Sequence, residues 1–90
     1  MAKIYKVNGE ILDNEPKNGT DFSWEELNSI VHGYIEIIRL GDGKIMVMNE
    51  EGKVYGLDIN LYATNLLLNA GYRGDFVVGD VLVCKESEVK

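Results

Sequence analysis

One histidine, one cysteine and fifteen acidic side chains are the groups in this 90-residue chain most able to do chemistry. A nucleophile and its base would have to be Cys84 and His32, which stand far apart in the sequence. His32 precedes Gly33 at the end of a predicted helix, where the macrodipole already favours an imidazolium. Cys84 lies near the end of an apolar strand, an ordinary place for a buried thiol. Laying the calcium-loop pattern over Val47 to Asp58 puts Asn49, Glu51, Gly52 and Asp58 at useful positions. Its first position, however, is Val47, and the flanks read as strands rather than helices. No CxxC, HxxxH or glycine-rich phosphate loop occurs. The expectation is a protein that is not an enzyme and carries no metal or cofactor.

Binding chemistry is better represented. Tyr34, Glu36, Glu51, Asn60 and Thr64 form the candidate ligand site: Glu and Asn read the polar edges of a base, and aromatic rings stack on it. Backbone amides at Gly52 or Gly79 would meet phosphate. The five tyrosines and Trp24 serve equally well as packing at the edge of a core. Glu36 is the most informative single residue. In Tyr34-Ile35-Glu36-Ile37-Ile38-Arg39-Leu40 it shares a pleat face with Tyr34, Ile38 and Leu40, so a carboxylate stands in a mostly apolar row. It either faces solvent or is aimed at a pocket where it needs a partner.

The net charge of −6 and a pI near 4.6, with nine basic residues spread along the chain, argue against direct binding to a nucleic-acid backbone. An acidic surface suits solubility. It also suits an alternative function, an inhibitor that covers a basic site on a partner enzyme or nucleic-acid-binding protein with Glu10, Asp13, Glu15, Asp21, Glu25, Glu26, Glu50 and Glu51. No apolar run reaches the roughly 18 residues of a membrane span, and no secretory segment is visible. With one cysteine, that composition points to a cytoplasmic protein.

These residues must be positioned by a single small α+β domain spanning 1–90. Lys3 to Val7 alternates, meets Asn8-Gly9 and returns through Glu10 to Leu12 as a hairpin. Asp13 to Thr20 reads as a loop. Ser23-Trp24-Glu25-Glu26 fits a capping box, with Phe22 and Leu27 at the hydrophobic-staple positions. Trp24, Leu27, Ile30 and Val31 fall on one helical face, and the helix is expected to stop at Gly33. Tyr34–Leu40, Lys44–Asn49 and Lys53–Leu57 read as a three-stranded meander, turning at Gly41-Asp42-Gly43 and at Glu50-Glu51-Gly52. Asn60 caps a second helix through Asn69 that stops at Gly71. Phe76–Lys85 is a strand broken at Gly79-Asp80, and 86–90 reads as a frayed polar tail. The predicted order is ββ-α-βββ-α-β, a mainly antiparallel sheet with two short helices.

Residues 31–84 resemble the small proteins of domain-of-unknown-function family 3846. The likeness rests on Gly33-Tyr34-Ile35-Glu36, on Asn49-Glu50-Glu51-Gly52, on Asn60 with Ala63-Thr64, and on Gly79-Asp80. It implies an accessory protein of a phage or mobile element, acting in a bacterial cytoplasm against host defence. Such a protein would sequester a small nucleotide signal or occupy a host protein, and is expected to be a homo-oligomer.

Overall fold

The computed structural model describes residues 2–89. Its strands are Lys3–Tyr5 (β1), Ile11–Asp13 (β2), Ile35–Gly41 (β3), Lys44–Asn49 (β4) and Val81–Lys85 (β5); its helices are Trp24–Val31 (α1) and Leu61–Asn69 (α2). All five strands pair antiparallel in one sheet of order β2-β1-β5-β4-β3. The last strand therefore lies between the two hairpins and joins them. The architecture is the expected α+β one.

Burial explains why β4 and β5 take the centre. Both carry unbroken apolar runs, Ile45-Met46-Val47-Met48 and Val81-Leu82-Val83-Cys84, which suit strands covered on both faces. On one face Leu27 and Val31 of α1 meet Ile45, Val47, Leu82 and Cys84. On the other, Ala63 and Leu67 of α2 meet Met46, Met48 and Val81. The β3–β4 turn has only Asp42 and Gly43 at its tip, with φ of 55° and 76°. Two successive positive φ values make the primed turn whose twist matches the strands it joins.

The capping box forms as read. The Ser23 hydroxyl accepts from the Glu26 amide at 3.2 Å, and the Glu26 carboxylate accepts from the Ser23 amide at 2.9 Å. Phe22 and Leu27 are both buried in the α1-side core, as a staple requires. Hydrogen bonds from the Ser23 and Lys17 amides hold the Glu26 carboxyl below its ordinary pKa of 4.5. The lowered folded-state value fixes the sign of a pH effect: the contribution is complete above the unfolded pKa and disappears as pH falls through the folded one. Wild type should therefore exceed Glu26→Gln in urea midpoint at pH 7, and the gap should narrow steadily on acidification below about pH 4.5. A gap that is constant with pH would remove the carboxylate from the cap.

Four local expectations are corrected. Lys53–Leu57 is not a strand. The Tyr55 amide donates to the Glu51 carbonyl and the Leu57 amide to the Gly52 carbonyl, so the segment coils on itself and leaves Val54 and Tyr55 in solvent. Its period-two pattern is too short to outweigh those local bonds. Trp24 is exposed rather than on the buried face: it opens α1 outside the core that Leu27 and Val31 enter. The left-handed residue ending α1 is His32, φ 64°, not Gly33. Finally, Glu86–Glu88 makes a single 3-10 turn and Val89 bridges in parallel to Phe22 where a frayed tail was expected, because Val89 has an apolar place against the α1-side core. Lys90 lies outside the described residues.

Candidate functional site

The cleft nearest to the expected site opens beside the C-terminus of α1, and a chain of side-chain bonds to backbone builds it. Asn49, the last residue of β4, is buried; its Nδ2 donates to the carbonyls of Val31 at 3.0 Å and His32 at 3.3 Å. These are among the carbonyls that a helix end leaves without partners. The Asn49 Oδ1 accepts from the Glu51 amide at 2.8 Å, so one side chain ties α1 to the Glu50-Glu51-Gly52 corner. Asn28 Nδ2 donates to the Gly33 carbonyl at 2.8 Å, and the Glu50 amide donates to the Tyr34 carbonyl at 2.9 Å. Gly33 is required by contact: a Cβ there would lie 2.9 Å from Asn49 Nδ2.

This frame presents Tyr34 and Tyr55, 75% and 68% exposed, on a cleft of about 350 Å³ with Glu51, His32 and Asn28 on its walls. The Tyr55 hydroxyl donates to the Glu51 carboxylate at 3.4 Å. His32 Nε2 stands 3.5 Å from the Asp80 carboxylate, whose other oxygen accepts from the Val7 amide at 3.0 Å. Among the described residues no lysine or arginine lines this cleft.

The five candidate residues do not make one site. Tyr34 and Glu51 meet in the cleft just described. Glu36 lies across the sheet edge on the α2 side, exposed, in a separate groove with Lys53, Asp75 and Phe76. Asn60 is 1% exposed and fully engaged: Nδ2 donates to the carbonyls of Tyr5 at 2.8 Å and Gly79 at 2.9 Å, and Oδ1 accepts from the Ala63 amide. The Thr64 hydroxyl accepts from the Val77 amide at 2.9 Å. Asn60 and Thr64 fasten α2 to the chain before β5, and their side chains are engaged with backbone groups. Tyr55, His32 and Asn28 join the cleft instead. Tyr55 was obscured by the strand reading, and His32 and Asn28 by their places near a helix end.

The other sequence candidates resolve similarly. Burial, with the charge of Glu88 adding to it, pushes the Cys84 thiol up to about 12. His32 adjoins Asp80 at the opposite end of β5, about 13 Å away at the usual strand rise. Among the described residues no group of three potential metal ligands gathers. Several acids proposed as a negative surface have local work: Glu26 closes the cap, Glu15 accepts from the Ala2 amide, and Asp13 pairs with Lys3 at 3.7 Å. Among the described residues no helix is long and apolar enough to cross a membrane.

Residues 4–89 match the family described as Domain of unknown function (DUF3846). The chain belongs to that family. The match reaches beyond the resembling stretch of 31–84 to include the opening hairpin and the capping box, so the DUF3846 unit is the whole five-stranded sheet with both helices. No curated protein and no solved structure matches the chain. Several residues that carried the resemblance are the ones that lock this DUF3846 fold: Gly33 against Asn49, and Asn60 onto Gly79.

Proposed function

We propose that the chain is a non-enzymatic binding protein whose ligand is a planar polar ring of the nucleobase kind, seated between Tyr34 and Tyr55. The observation that carries this reading is the exposure of two tyrosine rings on one cleft beside a carboxylate, on backbone held by Asn49. Rings of this size are normally half-buried with their hydroxyls partnered, and exposed apolar surface grouped in a concavity is a recurrent sign of a binding site. Glu51 supplies an acceptor for a ring N–H or an exocyclic amine. With no lysine or arginine on its walls among the described residues, recognition rests on the ring and not on a phosphate. The setting we propose is that of a phage or mobile-element accessory protein in a bacterial cytoplasm, acting as a homo-oligomer that sequesters a small nucleotide signal.

Calorimetric titration with nucleosides, cyclic nucleotides and adenosine-diphosphate-ribose tests it. Stacking on one ring is worth about 1–3 kcal/mol, so Tyr34→Ala and Tyr55→Ala should each weaken the best ligand by roughly 5- to 150-fold. Both side chains are exposed, so folding should survive. Heat that is absent across the panel, with stoichiometric capture of a host protein on the acidic surface, would favour the inhibitor reading instead.

A further inference from the structure

Although the chain carries a net charge of −6, the sheet gathers three of its seven lysines on one face. The β4–β5 register sets Lys44 directly opposite Lys85, and the β1–β5 register sets Lys3 opposite Val83, two residues before Lys85. All three share the pleat face that bears Tyr5, Val83 and Met46, the face partly covered by α2. Cover from α2 rests on Met46, Met48 and Val81, with the Tyr62 ring 5.0 Å from that of Tyr5, and leaves a hollow of about 270 Å³ beyond it, lined by Tyr5, Val83 and Cys84 and rimmed by Lys3, Lys44 and Lys85. Like charges directly opposite on paired strands destabilise a sheet. Among the described residues no carboxylate forms an ion pair with the Lys44 or Lys85 ammonium; Glu86 is taken by Arg39, Glu88 accepts from the Lys85 backbone amide, and of the three lysines only Lys3 has a partner, Asp13.

We propose that this hollow binds a small phosphate-bearing molecule, its doubly charged group between Lys44, Lys85 and Lys3 and its uncharged part over Tyr5 and Val83. Two adjacent ammonium groups without acids are costly unless an anion sits between them, and a phosphomonoester brings two negative charges on one centre. A polymer fits badly. Backbone binding draws on many phosphate contacts, and the acidic remainder of the surface repels a long polyanion. The hollow is separate from the tyrosine cleft: Lys44 begins β4 and Asn49 ends it, about 17 Å apart at the usual strand rise. It therefore stands or falls independently of the ring-binding reading.

The test is a titration of the ¹⁵N-labelled full chain with inorganic pyrophosphate and with adenosine 5′-monophosphate, using adenosine as the uncharged control. Both phosphate probes should shift the amides of Tyr5, Lys44, Val83 and Lys85, and adenosine should not. In the Lys44→Gln/Lys85→Gln double variant the affinity for both should fall at least tenfold, and its urea midpoint should equal or exceed that of wild type, because a like-charge pair is gone. Retention of the shifts in the folded double variant, or their absence from wild type at about 10 mM of either probe in low salt, where charge attraction is least screened, would overturn the proposal.

Discussion

Replacing Asn60 with Asp should destabilise the protein more than replacing it with Ala at pH 7, even though Asp is as good a helix cap as Asn. A cap alone needs only the side-chain oxygen that accepts from Ala63, and Asp retains it. What Asp loses is the Nδ2 that donates to the carbonyls of Tyr5 and Gly79, in a position 1% exposed. It puts a buried carboxylate against two carbonyl oxygens. Removing the cap in Asn60→Ala costs about 1 kcal/mol, and leaving buried carbonyls without donors adds about 1–3 kcal/mol. For a domain of this size, about 3 kcal/mol corresponds to a fall in Tm of roughly 12–24 °C. Asn60→Asp should lose more than that. The introduced carboxyl would have a folded-state pKa raised by burial and by the facing carbonyls, so its protonated form is the better tolerated one. The deficit of Asn60→Asp relative to wild type should shrink as pH falls through that raised pKa toward the ordinary Asp value of about 3.9, because a protonated Asp recovers one donor. Thermal melts of the three proteins at pH 7 and pH 4.5 decide the matter. An Asp variant as stable as wild type at pH 7 would reduce Asn60 to a cap.

The second large effect is expected at Asn49. Asn49→Asp keeps the acceptor for the Glu51 amide and loses both donations to the end of α1, at Val31 and His32. The Val31 carbonyl is buried, so leaving it unpaired costs about 2 kcal/mol, and the buried carboxylate facing it adds to that loss at pH 7. The consequence reaches the site as well, because the cleft is the space between α1 and the corner that Asn49 joins. Amide hydrogen exchange should accelerate at His32, Gly33 and Tyr34 by more than at Ile45–Val47. An equal acceleration everywhere would show that Asn49 contributes to global stability alone and leaves the cleft as rigid as before.

These two asparagines show what was legible in the sequence and what was not. The capping role of Asn60 is local, as is the box at Ser23 and Glu26, and both could be read from neighbours within three positions. The other half of Asn60, its donation to Tyr5 and Gly79, joins residues 55 and 19 positions away and leaves no local pattern. Asn49 is similar: its partners at the end of α1 lie 18 and 17 positions earlier, so the sequence marks it only as a position of the calcium-loop pattern and as part of Asn49-Glu50-Glu51-Gly52. The same division holds for the sheet. Each hairpin was visible in its turn residues, whereas the insertion of β5 between the hairpins depends on pairings such as Lys3 with Val83. The unbroken apolar runs of β4 and β5 were the available signal that both faces would be covered.

The candidate site was half legible for the same reason. Tyr34 and Glu51 were named because ring and carboxylate are suitable chemistry, and the fold does bring them together. Asn60 and Thr64 have equally suitable chemistry, but the backbone uses them. Glu36 has the right alternation but faces the α2 side of the sheet. Tyr55 escaped notice because Lys53-Val54-Tyr55 alternates like a strand, while the bonds from Tyr55 to Glu51 and from Leu57 to Gly52 coil it into the cleft wall. Charge was misleading in the same way: basic residues spread along the chain become a cluster once β1, β4 and β5 are adjacent.

The most direct test of the tyrosine cleft is to map amide shifts in the ¹⁵N-labelled protein as the tightest-binding nucleoside or nucleotide of the calorimetric panel is added. The largest changes should fall on Asn28, His32, Tyr34, Glu51 and Tyr55, and should vanish in the folded Tyr34→Ala/Tyr55→Ala variant. Changes that leave those residues still and persist in the variant would place the ring elsewhere and contradict the account.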